Sequence, residues 1–181
     1  YLSPLLSYRK DFGGVLSPKA AWPILVYGLS TLAPRVKQQE RTALSVAEFL
    51  AQHPKIRSVH YPGLLSFPQY ELARRQMTDY EGNFAPGSLL YFIVRGTHKQ
   101  SRRLAEKLID YIARDSYTIT LAVSLGQVRT LIEHPSSMTH SMVPLSRRVH
   151  EGIDPGGVRL SIGLEDAGDL IKDLGRALTK I

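Results

Sequence analysis

The stretch "GGVRLSIGLED", Gly156 to Asp166, carries two kinds of periodicity in a short span. Val158, Leu160 and Ile162 alternate with Arg159 and Ser161, the period-two pattern of a strand with one buried face. Asp166 then stands where a helix N-cap belongs, ahead of an apolar stripe formed by Leu170, Ile171, Leu174 and Leu178. A strand that passes by a short turn into an amphipathic helix implies a sheet with helices packed on it.

Working outward, "SYTITLAVS" alternates in the same way. Tyr117, Ile119, Leu121 and Val123 occupy one face, and Thr118, Thr120, Ala122 and Ser124 the other. "SLLYFIVRG" is apolar on both faces, which suits a central strand of a covered sheet. Thr97 caps a helix with the stripe Leu104, Leu108 and Tyr111. "IRSVHYPG" predicts a strand closed by a Pro-Gly turn, and "PQYELARRQM" a short helix. Further upstream, Ser17 and Pro18 open a helix in "LSPKAAW". The helical spacing continues through Leu29, Leu32 and Val36, then Ala43, Val46, Ala47 and Leu50. Pro34 predicts a kink or break in it, giving two successive helices of which the second ends near Gln52. The opening "YLSPLLSYRKDFGG" has no clear period and is expected to be a connector. The class is α/β or α+β: a small sheet covered by helices, with long helical segments at the N-terminal side.

Composition narrows the function classes. The 181 residues are 43% hydrophobic and 22% charged, in the range of ordinary globular chains. The absence of cysteine excludes a disulfide scaffold, thiolate-ligated zinc and a cysteine nucleophile. No apolar run approaches the ~20 residues of a bilayer-spanning helix, and no signal-peptide pattern opens the chain, so a cytoplasmic protein without membrane contact is expected. The net charge of +7 invites a nucleic-acid reading. Against it, Arg74-Arg75, Arg102-Arg103 and Arg147-Arg148 are dispersed and not interleaved with aromatic residues, so no nucleic-acid partner is expected.

One short span, "LAVSLGQVRTLIEHPSSMTHS", collects Arg129, Glu133, His134, Thr139 and His140 and has the crowding of a site. His134 and His140 are spaced neither as a helical ligand pair nor as a zinc pattern, and no third ligand is evident, so no metal is expected.

Six stretches in order resemble the Cys/Met-metabolism family of pyridoxal-phosphate (PLP) enzymes: "GGVLSPKAAW", "AEFLAQHPKI", "VHYPGLLSFPQYELARRQM", "AVSLG", "IEHPSSMTHS" and "GGVRLSIGLED". That family includes methionine γ-lyase, cystathionine γ-synthase, cystathionine lyases and O-acylhomoserine sulfhydrylases. The resemblance spans nearly the whole chain and corresponds to the C-terminal portion of those enzymes.

It implies the small C-terminal domain of a fold-type I PLP-dependent transferase, with a mainly antiparallel sheet. Residues 1–17 would be a connector from a missing N-terminal cofactor domain, and 18–181 the C-terminal domain. The family forms homo-oligomers, dimers or tetramers. Its PLP serves as an electron sink for elimination or replacement at the β- or γ-carbon of a small amino-acid substrate.

Carried over, Arg159 matches the arginine that grips the substrate α-carboxylate. A planar guanidinium can do so through two parallel hydrogen bonds, which lysine cannot copy. Alternation alone would make Arg159 an exposed strand residue paired with a surface acid. Ser124 and Leu125 of "AVSLG" match a substrate-binding step, although a strand-end serine bonding local backbone is common. Thr139 and His140 fall in a stretch at the active-site wall, with a supporting role expected. Arg129 stands where relatives usually carry glutamate. It is either a cation favouring acidic distal groups of the substrate or a surface arginine.

The lysine that carries PLP, with the cofactor's other holding residues, lies upstream of everything matched. The expectation is therefore a PLP-dependent C–S lyase or trans-sulfuration synthase that is inactive as this chain alone. A stand-alone, non-catalytic domain keeping the fold is the alternative.

Overall fold

The computed structural model describes residues 2–139, 147 and 152–181. Two compact units, Tyr1–Arg35 and Val36–Ile181, part inside a single helix.

In the first unit, Leu2–Phe12 forms helix α1, although no period announces it. Helix α2, Pro18–Pro23, opens as expected on Ser17, whose side chain accepts from Ala20 N at 3.2 Å. Pro23 closes it, and Ile24–Leu29 continues as a π-helical segment. A proline ring crowds the preceding turn, and a π-turn is one way to absorb that offset. The expected break at Pro34 is not where the helix is interrupted. Helix α3 begins at Leu32 and runs to Gln52, so Pro34 lies in a first turn, where its missing N–H costs no hydrogen bond.

The second unit holds one five-stranded sheet in the order β1-β2-β5-β4-β3. The strands are β1 (Ile56–His60), β2 (Leu89–Val94), β3 (Ile119–Leu121), β4 (Thr130–Glu133) and β5 (Gly157–Ser161). All neighbours pair antiparallel except β3 and β4, which are parallel. Among the described residues, helices α4 (Tyr70–Gln76), α5 (His98–Asp115) and α6 (Ala167–Thr179) accompany it. The mixed class and the small, mainly antiparallel sheet are as expected.

One core joins sheet and helices. Leu90, Phe92, Val158, Leu160 and Ile132 point from the strands toward Val46 and Leu50 of α3, Leu108 and Ile112 of α5, and Leu170 and Leu174 of α6, all buried. Full burial of each such side chain contributes roughly 1.5–3 kcal/mol. The helix caps fall where the sequence put them. Thr97 and Gln100 form a reciprocal capping box on α5, and Asp166 accepts from Gly168 N and Asp169 N at 2.8 and 3.3 Å on α6.

The alternating run ending at Ser124 is shorter than predicted, since β3 stops at Leu121. Strand β4 was not foreseen. Its four residues are all buried, so it lacks the polar alternation that marks a strand in sequence.

Candidate functional site

The core-facing side chains of β5 leave Arg159 and Ser161 on the other face of the sheet, the one that carries the polar groups. The register assembles a single row across four strands there: His60 opposite Tyr91, Tyr91 opposite Arg159, and Arg159 opposite Glu133. Directly paired residues project to the same side, so these four share one face. They line a cavity of 340 Å³ together with Leu89 and Pro135.

Arg159 is the centre of the row. Its Nη1 lies 2.9 Å from Oε1 of Glu133. Its Nη2 donates to the carbonyl oxygens of Val123 and Ser124 at 3.3 and 3.4 Å. Its side chain is 22% exposed, whereas that of Glu133 is 1% exposed. A guanidinium has five N–H donors, so at least two stay available to a ligand.

The segment after β3 is held from several sides. Gly126, at φ +73°, donates its N–H to Ser161 Oγ at 3.0 Å. Gln39 Nε2 donates to Gln127 O at 2.9 Å, and Leu164 N to Val128 O at 2.8 Å. Where the chain enters β4, Glu165 accepts from Thr130 N and Thr130 Oγ1, and Thr130 Oγ1 accepts from Gly163 N at 2.9 Å. Ser124 therefore meets Arg159 through its backbone carbonyl, and the side chain of Leu125, 54% exposed, extends from the same fixed loop.

The remaining sequence candidates separate. Thr139 Oγ1 donates to Glu133 Oε1 at 3.5 Å, which connects it to Arg159 at one remove. His140 lies outside the described residues. His134 is buried and spans two partners at 2.7 Å each, Ser137 Oγ through Nδ1 and the Pro155 carbonyl through Nε2. Burial pushes its pKa below the ordinary histidine value against the opposing Pro155 contact. It braces the chain after β4 and does not reach the Ser124 loop through those bonds. Arg129 lines a different cavity, with Tyr117 and Glu165, and donates from Nη2 to Tyr117 O at 3.5 Å. Among the described residues, no cluster of His, Asp or Glu could hold a metal ion.

Glu133 was visible in the sequence only as one member of a crowded span, with no role. The signal was "TLIE" itself, in which Leu131 and Glu133 share a face once the segment is seen as a strand. Ser161 and Arg159 were placed on one face by alternation, but the bond from Ser161 to Gly126 was not.

The spare guanidinium donors of this set suit an anionic group such as a carboxylate. The set does not suit attachment of a carbonyl cofactor. Among the described residues, no lysine lines the cavity. Lys37 is engaged with Asp79 and Glu81, Lys55 with the carbonyls of Leu178 and Ile181, and Lys172 with Asp169. No helix of the described residues is long and apolar enough to cross a membrane.

Residues 3–179 match the family model described as Cys/Met metabolism PLP-dependent enzyme. The chain is 42% identical over 173 residues to an L-methionine gamma-lyase of Porphyromonas gingivalis, which covers 95% of this chain and 40% of that protein. It is 43% identical over 166 residues to an L-methionine gamma-lyase of Pseudomonas putida, covering 92% of this chain and 38% of that protein. A cystathionine gamma-lyase of Dictyostelium discoideum is 39% identical over 172 residues, 95% of this chain and 41% of that protein. Among solved structures, a cystathionine gamma lyase from Micromonospora echinospora superposes with a TM-score of 0.81 at 36% identity, over 96% of this chain and 41% of that one. The chain thus spans about two fifths of the length of the curated relatives it matches.

Proposed function

The chain belongs to the Cys/Met-metabolism family of PLP-dependent enzymes, and from that premise we propose that it is the C-terminal part of a C–S lyase or trans-sulfuration synthase. The substrates would be sulfur amino acids or O-acyl homoserines, undergoing elimination or replacement at the β- or γ-carbon. In this reading residues 1–17 connect to an N-terminal cofactor domain and 18–181 form the C-terminal domain. PLP, when bound in such an enzyme, stabilises negative charge on substrate carbons.

The observation that carries the reading is Arg159, held on the polar sheet face with donors to spare beside a 340 Å³ cavity. Arg159 grips the α-carboxylate through a charge-assisted pair of hydrogen bonds and so fixes the orientation of the substrate's α-carbon. The Ser124–Leu125 step forms the wall beside it, and Thr139 supports the site through Glu133. A specificity role for Arg129 toward acidic distal groups is retained only for a substrate long enough to reach both cavities.

Two features support a partner domain. Among the described residues no lysine lines the Arg159 cavity, so in this reading the cofactor's attachment comes from other residues. The first unit also exposes Trp22, Leu25 and Leu29 at 64%, 61% and 55%, more apolar surface on one short segment than scattered surface residues provide. Burial against an N-terminal domain or a second copy in a cytoplasmic homo-oligomer would cover it.

The test compares the complete protein with the 181-residue chain for release of 2-oxoacid from L-methionine, L-cystathionine and an O-acyl homoserine. Turnover by the complete protein and none by the chain is the expected result. Turnover by the chain alone, or none by the complete cofactor-loaded protein on all three substrates, overturns the reading.

A further inference from the structure

Glu133 is a carboxylate in an expensive place. It is 1% exposed, and its two oxygens are treated unequally. Oε1 is 2.9 Å from Arg159 Nη1 and 3.5 Å from Thr139 Oγ1, while Oε2 is fully enclosed and has no hydrogen-bond partner. Burying an ion pair is close to neutral even when every lone pair is satisfied, because desolvation offsets the attraction. A half-satisfied carboxylate is therefore a poor choice for stability alone, where an apolar side chain of similar volume serves equally well. What the carboxylate does uniquely is act on Arg159.

Arg159 has a long stem with several rotatable bonds, and its side chain is partly exposed. Its contacts to the Val123 and Ser124 carbonyls are long, at 3.3 and 3.4 Å, and the bond to Glu133 is the short one. We propose that Glu133 is the positioning residue for Arg159: it clamps one guanidinium nitrogen from within the sheet, so that the remaining donors are already aimed at a ligand carboxylate before it arrives. Glu133 itself does not touch the ligand, since its free oxygen is enclosed. The proposal rests on the carboxylate-gripping role of Arg159 and adds the residue that pre-organises it.

The test uses the complete protein and equilibrium calorimetry, with glycine and glycinamide as probes that differ only in the carboxylate. Glu133→Ala is expected to weaken glycine binding by at least about tenfold, the loss of one charge-assisted orienting bond. Glycinamide binding should stay within about twofold, because the amide makes no carboxylate fork. Glu133→Gln should restore glycine binding to within about threefold, since its amide oxygen can still accept from Nη1. Glu133→Leu, apolar and of similar volume, is held to the same expectation as Glu133→Ala and replaces it if that variant does not fold.

Equal losses on both probes, or an unchanged glycine affinity in folded Glu133→Ala and Glu133→Leu, overturn the positioning role. Arg159→Ala separates the two levels. If it abolishes glycine selectivity while the Glu133 variants do not, only the positioning role fails. If it leaves glycine binding unchanged, the carboxylate-gripping role fails and the positioning role with it.

Discussion

Replacing Arg159 by lysine keeps the charge and removes the fork. The guanidinium touches three groups at once: Glu133 Oε1 at 2.9 Å, and the carbonyls of Val123 and Ser124 at 3.3 and 3.4 Å. A lysine ammonium is a point charge on a flexible stem and cannot hold Glu133, the loop and a ligand carboxylate together. The ligand then keeps one charge-assisted hydrogen bond in place of two, a loss of about 1.5–3 kcal/mol. That corresponds to a fall of roughly 10- to 150-fold in kcat/KM. The ammonium keeps a positive charge beside the buried Glu133, so stability should fall by less than the roughly 3–5 kcal/mol that removing one partner of a buried pair costs. The measurement is kcat/KM of the complete protein on its best amino-acid substrate, with thermal melts of both forms in the same buffer. A lysine variant within threefold of the parent, at unchanged melting temperature, would refute the fork.

Two further predictions concern the frame of the site. Gly163→Ala places a Cβ 2.4 Å from the Val128 carbonyl oxygen and 2.5 Å from the Arg129 carbonyl carbon, both backbone. The 122–129 loop must shift, at a cost of roughly 1–3 kcal/mol, so a drop of several degrees in melting temperature is expected and an unaltered melt would contradict the packing. Asp173 is the second case. Its burial works against the charge, but hydrogen bonds from Thr118 and Ser116 outweigh it and hold its pKa below the ordinary 3.8. A depressed folded-state value means that the stability from Asp173 is fully present above the unfolded pKa and lost as pH falls through the folded one. The stability gap between the parent and Asp173→Ala, measured by urea melts, should therefore be constant above about pH 5 and close toward pH 2. A gap independent of pH would contradict it.

Much of the frame was legible because it depends on local chemistry. Thr97, Asp166 and Ser17 cap helices wherever the chain takes them, since each side chain reaches a backbone N–H two or three residues away. The face of β5 that carries Arg159 follows from alternation alone. The misplaced break at Pro34 and the unannounced helix α1 have a common cause: helix limits depend on which turns have tertiary support, and no periodicity records that. Strand β4 was missed because burial on both faces removes the alternation by which strands are recognised.

The sequence by itself determined that one face of β5 would present a guanidinium, that the class would be a helix-covered sheet, and, through resemblance, which family the chain joins. Only the tertiary structure decided what meets that guanidinium. Arg159 and Glu133 are 26 positions apart in the chain and directly opposed across β4 and β5. Arg129, four residues from Glu133 in sequence, opens instead into another cavity. Strand register selects these neighbours, and register is set by the packing of Ile132 and Leu160 into the shared core. A slip of one residue would turn every one of these side chains to the opposite face.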